Sequence, residues 1–153
     1  QVTLVPDAIG AITSSAGWDT IKNQAYLTEV IAEFQLNGIR TSIFVDPVLE
    51  MVEAAKATGT ERIELYTESF AHDYGLGNFA GIEPFIRAAH RANELQLGIN
   101  AGHDLSLDNL KFFSEKMEGL LEVSIGHALV CDALYFGLEN TIHLYRRALN
   151  SFE

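Results

Sequence analysis

The sequence predicts an α/β fold, a TIM-type (β/α)8 barrel to which these residues contribute about five C-terminal βα units. Three observations carry this. Five short apolar runs rich in β-branched residues alternate with five longer runs of helical period, the pattern of parallel strands joined by crossover helices and buried on both faces. No GxGxxG or GxxxxGK[ST] motif follows the first strand, which weakens the nucleotide-binding open sheet, the other architecture such units admit. The sequence also opens without Met on Gln1-Val2-Thr3-Leu4-Val5-Pro6, a strand already in progress. A complete barrel needs roughly 200 to 250 residues, so residues 1–153 are read as the C-terminal part of one barrel domain with earlier strands before residue 1. By itself, such a piece is expected to expose a strand edge and part of its core, and to aggregate or stay partly unfolded.

Strands are expected at residues 2–5, 39–45, 62–66, 97–100 and 121–125. The first helix should start near Asp19 as N-cap, bury Leu27, Val30, Ile31 and Phe34, and stop at Gly38. Asp46-Pro47 reads as an N-cap with proline at the first helical position, opening a helix with Val48, Met51, Val52 and Ala55 that ends before Gly59. Residues 67–81 form a long glycine-rich connection, expected to be a mobile active-site loop. The next helix, residues 82–95, sets Ile82, Phe85, Ile86 and Ala89 on one side and tolerates Pro84 in its first turn. Residues 106–116 form the fourth helix. The last spans 127–149 with an interruption near Gly137, and places Ala128, Cys131, Tyr135, Leu138, Ile142, Tyr145 and Leu149 on one face.

Composition narrows the function. With 48% hydrophobic and 20% charged residues the chain is globular, and a net charge of −11 argues against nucleic-acid or anionic-membrane partners. The single Cys131 excludes an internal disulfide and fits a reducing compartment, and no apolar run reaches transmembrane length. A cytoplasmic location is expected.

Barrel chemistry sits at the C-terminal strand ends. The polar residues there are Thr13 and Ser14 after the first strand, Asp46 after the second, Glu64 in the third, Asn100 and His103 after the fourth, and Gly126 and His127 after the fifth. His103 suits general acid/base work near neutrality; the alternative is a helix-capping histidine. Glu64, between Ile63 and Leu65, should point into the barrel, where a buried carboxylate is catalytic or ion-paired. The Asp-Pro helix start accounts for Asp46 on structural grounds. Residues 124–128, Ser-Ile-Gly-His-Ala, join a strand end to a helix N-terminus whose free N–H groups can bind phosphate. Every lysine and arginine falls on a helix or, as Arg40 and Arg62 do, at the start of a strand, on the face opposite the strand ends. An anionic substrate would therefore rely on backbone N–H groups and histidines here, with any guanidinium coming from another segment or subunit. His72, His90 and His143 lack ligand spacing, so neither metal nor cofactor is expected. Trp18 should pack the entry to the first helix.

These residues resemble a known family. Leu4-Val5-Pro6-Asp7, Thr13-Ser14-Ser15-Ala16-Gly17-Trp18-Asp19, Thr41-Ser42-Ile43-Phe44-Val45-Asp46, Ile63-Glu64-Leu65-Tyr66-Thr67, Asn100-Ala101-Gly102-His103 and Ser124-Ile125-Gly126-His127-Ala128 follow the order and spacing of the pyridoxine 5′-phosphate synthases. The resemblance covers the C-terminal part of that enzyme. It implies a barrel, usually a homo-octamer, that condenses 1-deoxy-D-xylulose 5-phosphate with 3-amino-2-oxopropyl phosphate, releasing phosphate and water without a metal. It makes His103 the acid/base histidine, Glu64 a transition-state-stabilising carboxylate, Thr13 a deoxyxylulose-phosphate contact, and Asp104, Gly126 and His127 positions that hold the aminoketone phosphate. Other catalytic groups of the family belong to strands before residue 1, so the chain alone is not expected to be competent. Where the family often has glycine this sequence has Asp104, and Tyr66-Thr67-Glu68 replaces a common His-Thr-Gly. The alternatives are another phosphate-binding barrel, an isomerase or aldolase, or a non-catalytic assembly module.

Overall fold

A computed structural model describes residues 1–7 and 10–149; residues 150–153 of the expected domain lie outside them. Five parallel strands stand in sequence order: β1 (Val2–Leu4), β2 (Thr41–Val45), β3 (Arg62–Tyr66), β4 (Gly98–Gly102) and β5 (Leu120–Ser124). The connecting helices are α1 (Gln24–Leu36), α2 (Leu49–Ala57), α3 (Glu68–Gly75), α4 (Glu83–Glu94) and α5 (Leu110–Lys116), with α6 (His127–Phe136) and α7 (Leu138–Leu149) after the last strand.

The two faces of this sheet differ because successive side chains alternate. Ile43, Val45, Ile63, Leu65, Ile99 and Ala101 are fully buried and form one core with Leu27 and Ile31 of α1, Val52 and Ala55 of α2, Phe85 and Ala89 of α4, and Leu110 and Phe113 of α5. Phe70 of α3 joins it, with ring centroids 5.0 Å from Phe113 and 6.1 Å from Phe85. Truncating Phe70 or Phe113 to alanine would cost about 3–5 kcal/mol. The opposite face is polar, carrying Thr3, Ser42, Arg62, Glu64, Asn100, Glu122 and Ser124. It is also concave: Gln1, just before β1, donates from Nε2 to Glu122 Oε2 of β5 at 2.8 Å, so side chains from the first and last strands meet. A curled parallel sheet with helices on its convex side is the arrangement of a (β/α)8 barrel, of which these strands are five.

Several helix boundaries depart from the sequence pattern, each for a tertiary reason. Asp19 does not cap α1, which starts at Gln24; its Oδ1 accepts the Lys22 N–H at 2.9 Å in a preceding turn. That turn is tied down by Thr20, whose hydroxyl donates to the Met51 carbonyl at 2.7 Å. Nor does Asp46 cap α2, which begins at Leu49 after an extended Val48, because the Asp46 carboxylate accepts the Gly17 N–H at 3.1 Å. Gly17 must be glycine there: an added Cβ would collide with the Val45–Asp46 backbone. Residues 67–81 are not a loop but α3 followed by a 3-10 turn at Phe79–Ile82. Phe70, Tyr74 and Phe79 anchor them, and Gly77 at φ +78° closes the helix. α5 begins at Leu110 rather than 106, after a turn in which Asn109 Oδ1 accepts the Ser106 N–H at 2.9 Å. The interruption near Gly137 is present, at φ +77°. It divides the expected apolar face, of which Tyr145 is buried while Tyr135 is 86% exposed. Tyr145 fastens α7 to α6, its hydroxyl donating to Asp132 at 2.7 Å. Trp18 packs against the core, as its place before α1 suggested. Among the described residues, no helix is long and apolar enough to cross a membrane.

Candidate active site

Glu64 is a buried carboxyl group on the concave face. It lies at the middle of β3, with Ile63 and Leu65 turned to the helices, and is only 7% exposed. Its Oε2 accepts the Thr3 hydroxyl of β1 at 2.9 Å. On the other side it leans over β4, where the absence of a side chain at Gly102 makes room for it: a Cβ there would displace Glu64 Oε1 and press on Ser124. Burial pushes the Glu64 carboxyl above the ordinary glutamate range. The hydrogen bonds from Thr3 and Ser124 and the positive side of His103 offset this only in part, and Glu122 adds to it.

His103 stands where β4 ends. Both it and Asp104 have left-handed backbones, φ +82° and +56°, uncommon for residues with a Cβ and typical of functional turns. Thr67 holds the turn from β3's side: its N–H donates to the Gly102 carbonyl at 3.0 Å, and its hydroxyl reaches the carbonyls of Gly102 and His103. From the far side Asn109 Nδ2 donates to the Asp104 carbonyl at 3.1 Å. The imidazole is fixed by Tyr66, whose ring meets it edge-on at 5.1 Å, and by Phe44 at 5.8 Å. Its Nε2 lies 3.5 Å from Thr13 Oγ1 and its Nδ1 lies 3.6 Å from Asp104 Oδ2.

These groups surround an open cavity of about 480 Å³ lined by Thr13, Glu64, His103, Asp104, Leu105, Ser124, Gly126, His127, Ala128 and Cys131. The structure thus brings together Thr13, Glu64, His103, Asp104, Gly126 and His127, which the sequence singled out. Gly126 is the N-cap of α6 and His127 its first residue, so free N–H groups and the positive end of that helix's dipole border the cavity. No lysine or arginine lines it among the described residues.

Asn100 and Asp46 lie elsewhere. Asn100 Oδ1 accepts from Arg62 Nη1 at 3.0 Å and its Nδ2 donates to Glu122 at 3.3 Å, so its side chain is taken up by that pair and does not line the cavity. Asp46 is occupied with the Gly17 backbone. Sequence reading missed Thr3, which orients Glu64 across 61 residues of chain, and Thr67, which holds the His103 turn. Thr3 belongs to no local motif and is identified by strand register alone; Thr67 falls in the segment Ile63-Glu64-Leu65-Tyr66-Thr67, but its bonds to the turn after β4 are visible only in the fold. Ser124 carried a signal, since it shares β5's inward face with Glu122. Among the described residues, no three His, Cys, Asp or Glu side chains converge as metal ligands would.

A carboxyl group inclined to keep its proton, an imidazole with one nitrogen near the cavity, and a helix N-terminus form a site suited to proton transfer on an anionic substrate. Solved structures of similar shape agree on the fold. The 3-hydroxy-3-methylglutaryl-CoA (HMG-CoA) lyase of Brucella melitensis matches with a TM-score of 0.53 at 21% identity, over 84% of this chain and 50% of that one. The YdjI aldolase of Escherichia coli K12 matches at 0.53 and 15%, over 88% and 54%.

Sequence comparison is more specific. A curated relative in Flavobacterium johnsoniae, named pyridoxine 5′-phosphate synthase, is 74% identical over 97% of this chain. Relatives of the same name in Christiangramia forsetii and Parabacteroides distasonis are 62% and 56% identical over 97% and 99% of it. In each case the chain spans 63% of the relative's length. The family model described as pyridoxal phosphate biosynthesis protein PdxJ matches residues 1–151. Since that match takes in every strand and every residue around the cavity, the chain belongs to the PdxJ family.

Proposed function

We propose that this chain is the C-terminal five-unit part of a pyridoxine 5′-phosphate synthase barrel, which condenses 1-deoxy-D-xylulose 5-phosphate with 3-amino-2-oxopropyl phosphate and closes the pyridine ring. The observation that carries the reading is the single cavity shared by Thr13, Glu64, His103, Asp104, Gly126 and His127. In it His103 moves protons, and the buried Glu64 steadies charge that develops as the ring closes. Thr13 contacts the deoxyxylulose phosphate. The Gly126-His127 helix start receives the second phosphate with backbone N–H groups, Asp104 standing beside it. The remaining positive charge comes from groups outside this chain, since no cation lines the cavity among the described residues. The same reading carries a cytoplasmic, homo-oligomeric enzyme, an octamer by family resemblance, that takes phosphorylated small molecules and works without a metal or organic cofactor.

The test uses the full-length protein. His103→Ala should lower the rate of phosphate release from the two substrates by roughly 10²- to 10⁴-fold, with the circular dichroism spectrum and thermal transition preserved. Turnover at the parent rate would overturn the assignment. A product assay that finds sugar-phosphate isomerisation but no pyridine would redirect it to another phosphate-binding barrel.

A further inference from the structure

We infer that Asp104 is a positioning residue for His103, its carboxylate holding the imidazole with Nδ1 toward Asp104 so that Nε2 is the nitrogen offered to the cavity. The inference rests on His103 being the proton-transfer group proposed above, and deepens that reading. Three observations converge on it.

The first is the direction of the ring: Nδ1 is 3.6 Å from Asp104 Oδ2, whereas Nε2 is 3.5 Å from Thr13 Oγ1, which lines the cavity. A neutral imidazole carries its proton on one nitrogen, and a carboxylate beside Nδ1 stabilises the N–H there, leaving the Nε2 lone pair free to accept. The second is the restraint on the ring. Tyr66 and Phe44 pack against it at 5.1 and 5.8 Å, so the imidazole is confined with Nδ1 on the Asp104 side.

The third is the backbone. Consecutive left-handed residues at 103 and 104 turn the Asp104 side chain back alongside the preceding one. Thr67 and Asn109 hold that turn through the carbonyls on either side of it. Glycine adopts φ +56° more readily than aspartate, so the carboxylate is kept at a small conformational cost. A carboxylate at the rim of a phosphate site would otherwise be only repulsive; aimed at Nδ1, it serves the histidine.

The experiment compares Asp104→Ala, Asp104→Gly and Asp104→Asn in the full-length protein. It reads kcat and KM separately, and the His103 tautomer by long-range proton–nitrogen correlation above the imidazole's titration. Asp104→Ala and Asp104→Gly should shift population from the Nδ1–H to the Nε2–H form and lower kcat roughly 10- to 100-fold with KM little changed. Glycine suits the left-handed backbone, so its agreement with alanine excludes strain as the cause. Asp104→Asn, whose amide oxygen can keep a negative end beside Nδ1, should restore the tautomer and part of kcat. An unchanged tautomer, an unchanged kcat, or a lower KM at full kcat would each overturn the inference, the last by showing that the carboxylate only repels phosphate. The tautomer is read without substrate. If His103→Ala retained turnover, the functional assignment would fail while the resonance still reported on Asp104.

Discussion

Glu64 and Glu122 lie on the concave face of the same sheet, on strands β3 and β5, yet their surroundings push them in opposite directions. Glu64 faces the cavity, its partners among the described residues are hydroxyls and a histidine with no arginine or lysine acting on it, and burial raises its carboxyl above the ordinary range. Glu122 faces the N-terminal ends of the strands, where it accepts from Gln1 at 2.8 Å and pairs with Arg62 at 3.0 Å and Arg40 at 3.1 Å. The Gln1 hydrogen bond and the two guanidinium groups hold its carboxyl below the ordinary range. Asn100 belongs to this network, bridging Arg62 and Glu122. The N-terminal layer is electrostatically matched and serves stability; the C-terminal layer is left unmatched where chemistry is proposed.

The largest effect expected from breaking this contrast is on turnover. Glu64→Gln keeps an acceptor for Thr3 but removes the ionisable group. It should lower kcat of the full-length enzyme by roughly 10²- to 10³-fold while leaving thermal stability at neutral pH equal or higher. Gly102→Ala should reproduce part of that loss, about tenfold, by pushing Glu64 from its place, since an added Cβ meets Glu64 and Ser124. Both are checked by steady-state kinetics beside denaturant titration. Glu122→Gln should do the reverse. Turnover should stay near parental, and stability should fall by about 1 kcal/mol, a modest figure because the Glu122 side chain is 42% exposed.

The smallest effect lies in the pH dependence of stability, and there the two groups have opposite signs. The folded state holds the Glu64 proton to higher pH than the unfolded chain does. Its contribution therefore falls as pH rises from the ordinary glutamate value of about 4.3 up through the raised folded value. Glu122 contributes above that ordinary value, and its contribution is lost as pH falls through the lowered folded one. In denaturant titrations across pH, Glu64→Gln should flatten the slope above the ordinary value and Glu122→Gln the slope below it. Swapped slopes would break the comparison.

How much of this was legible in the sequence depended on whether the information was local. The strands were readable because β-branched runs buried on both faces leave a strong pattern, and Glu64's inward direction followed from its apolar neighbours Ile63 and Leu65. The cavity's members were readable because strand ends in a barrel converge whatever the loops do. Helix starts were misread at Asp19 and Asp46, where a valid capping pattern was overridden: Asp19 holds a separate turn and Asp46 a glycine N–H 29 residues away. Residues 67–81 looked like a loop from their glycines, but the aromatic anchors Phe70, Tyr74 and Phe79 fold them into helical turns. Asn100 looked like a strand-end group because the strand was expected to stop there; β4 runs on to Gly102, which leaves Asn100 at mid-strand, in register with Glu64 and Glu122.

The most direct test of the contrast between the two ends is to follow the side-chain carboxyl carbons of Glu64 and Glu122 by NMR through a pH titration of the folded full-length protein. Glu64 should titrate above the ordinary glutamate value and Glu122 below it, and Glu122 should move toward the ordinary value in Arg62→Gln while Glu64 stays raised. Two carboxyls titrating together at the ordinary value, or Glu64 titrating below Glu122, would contradict it.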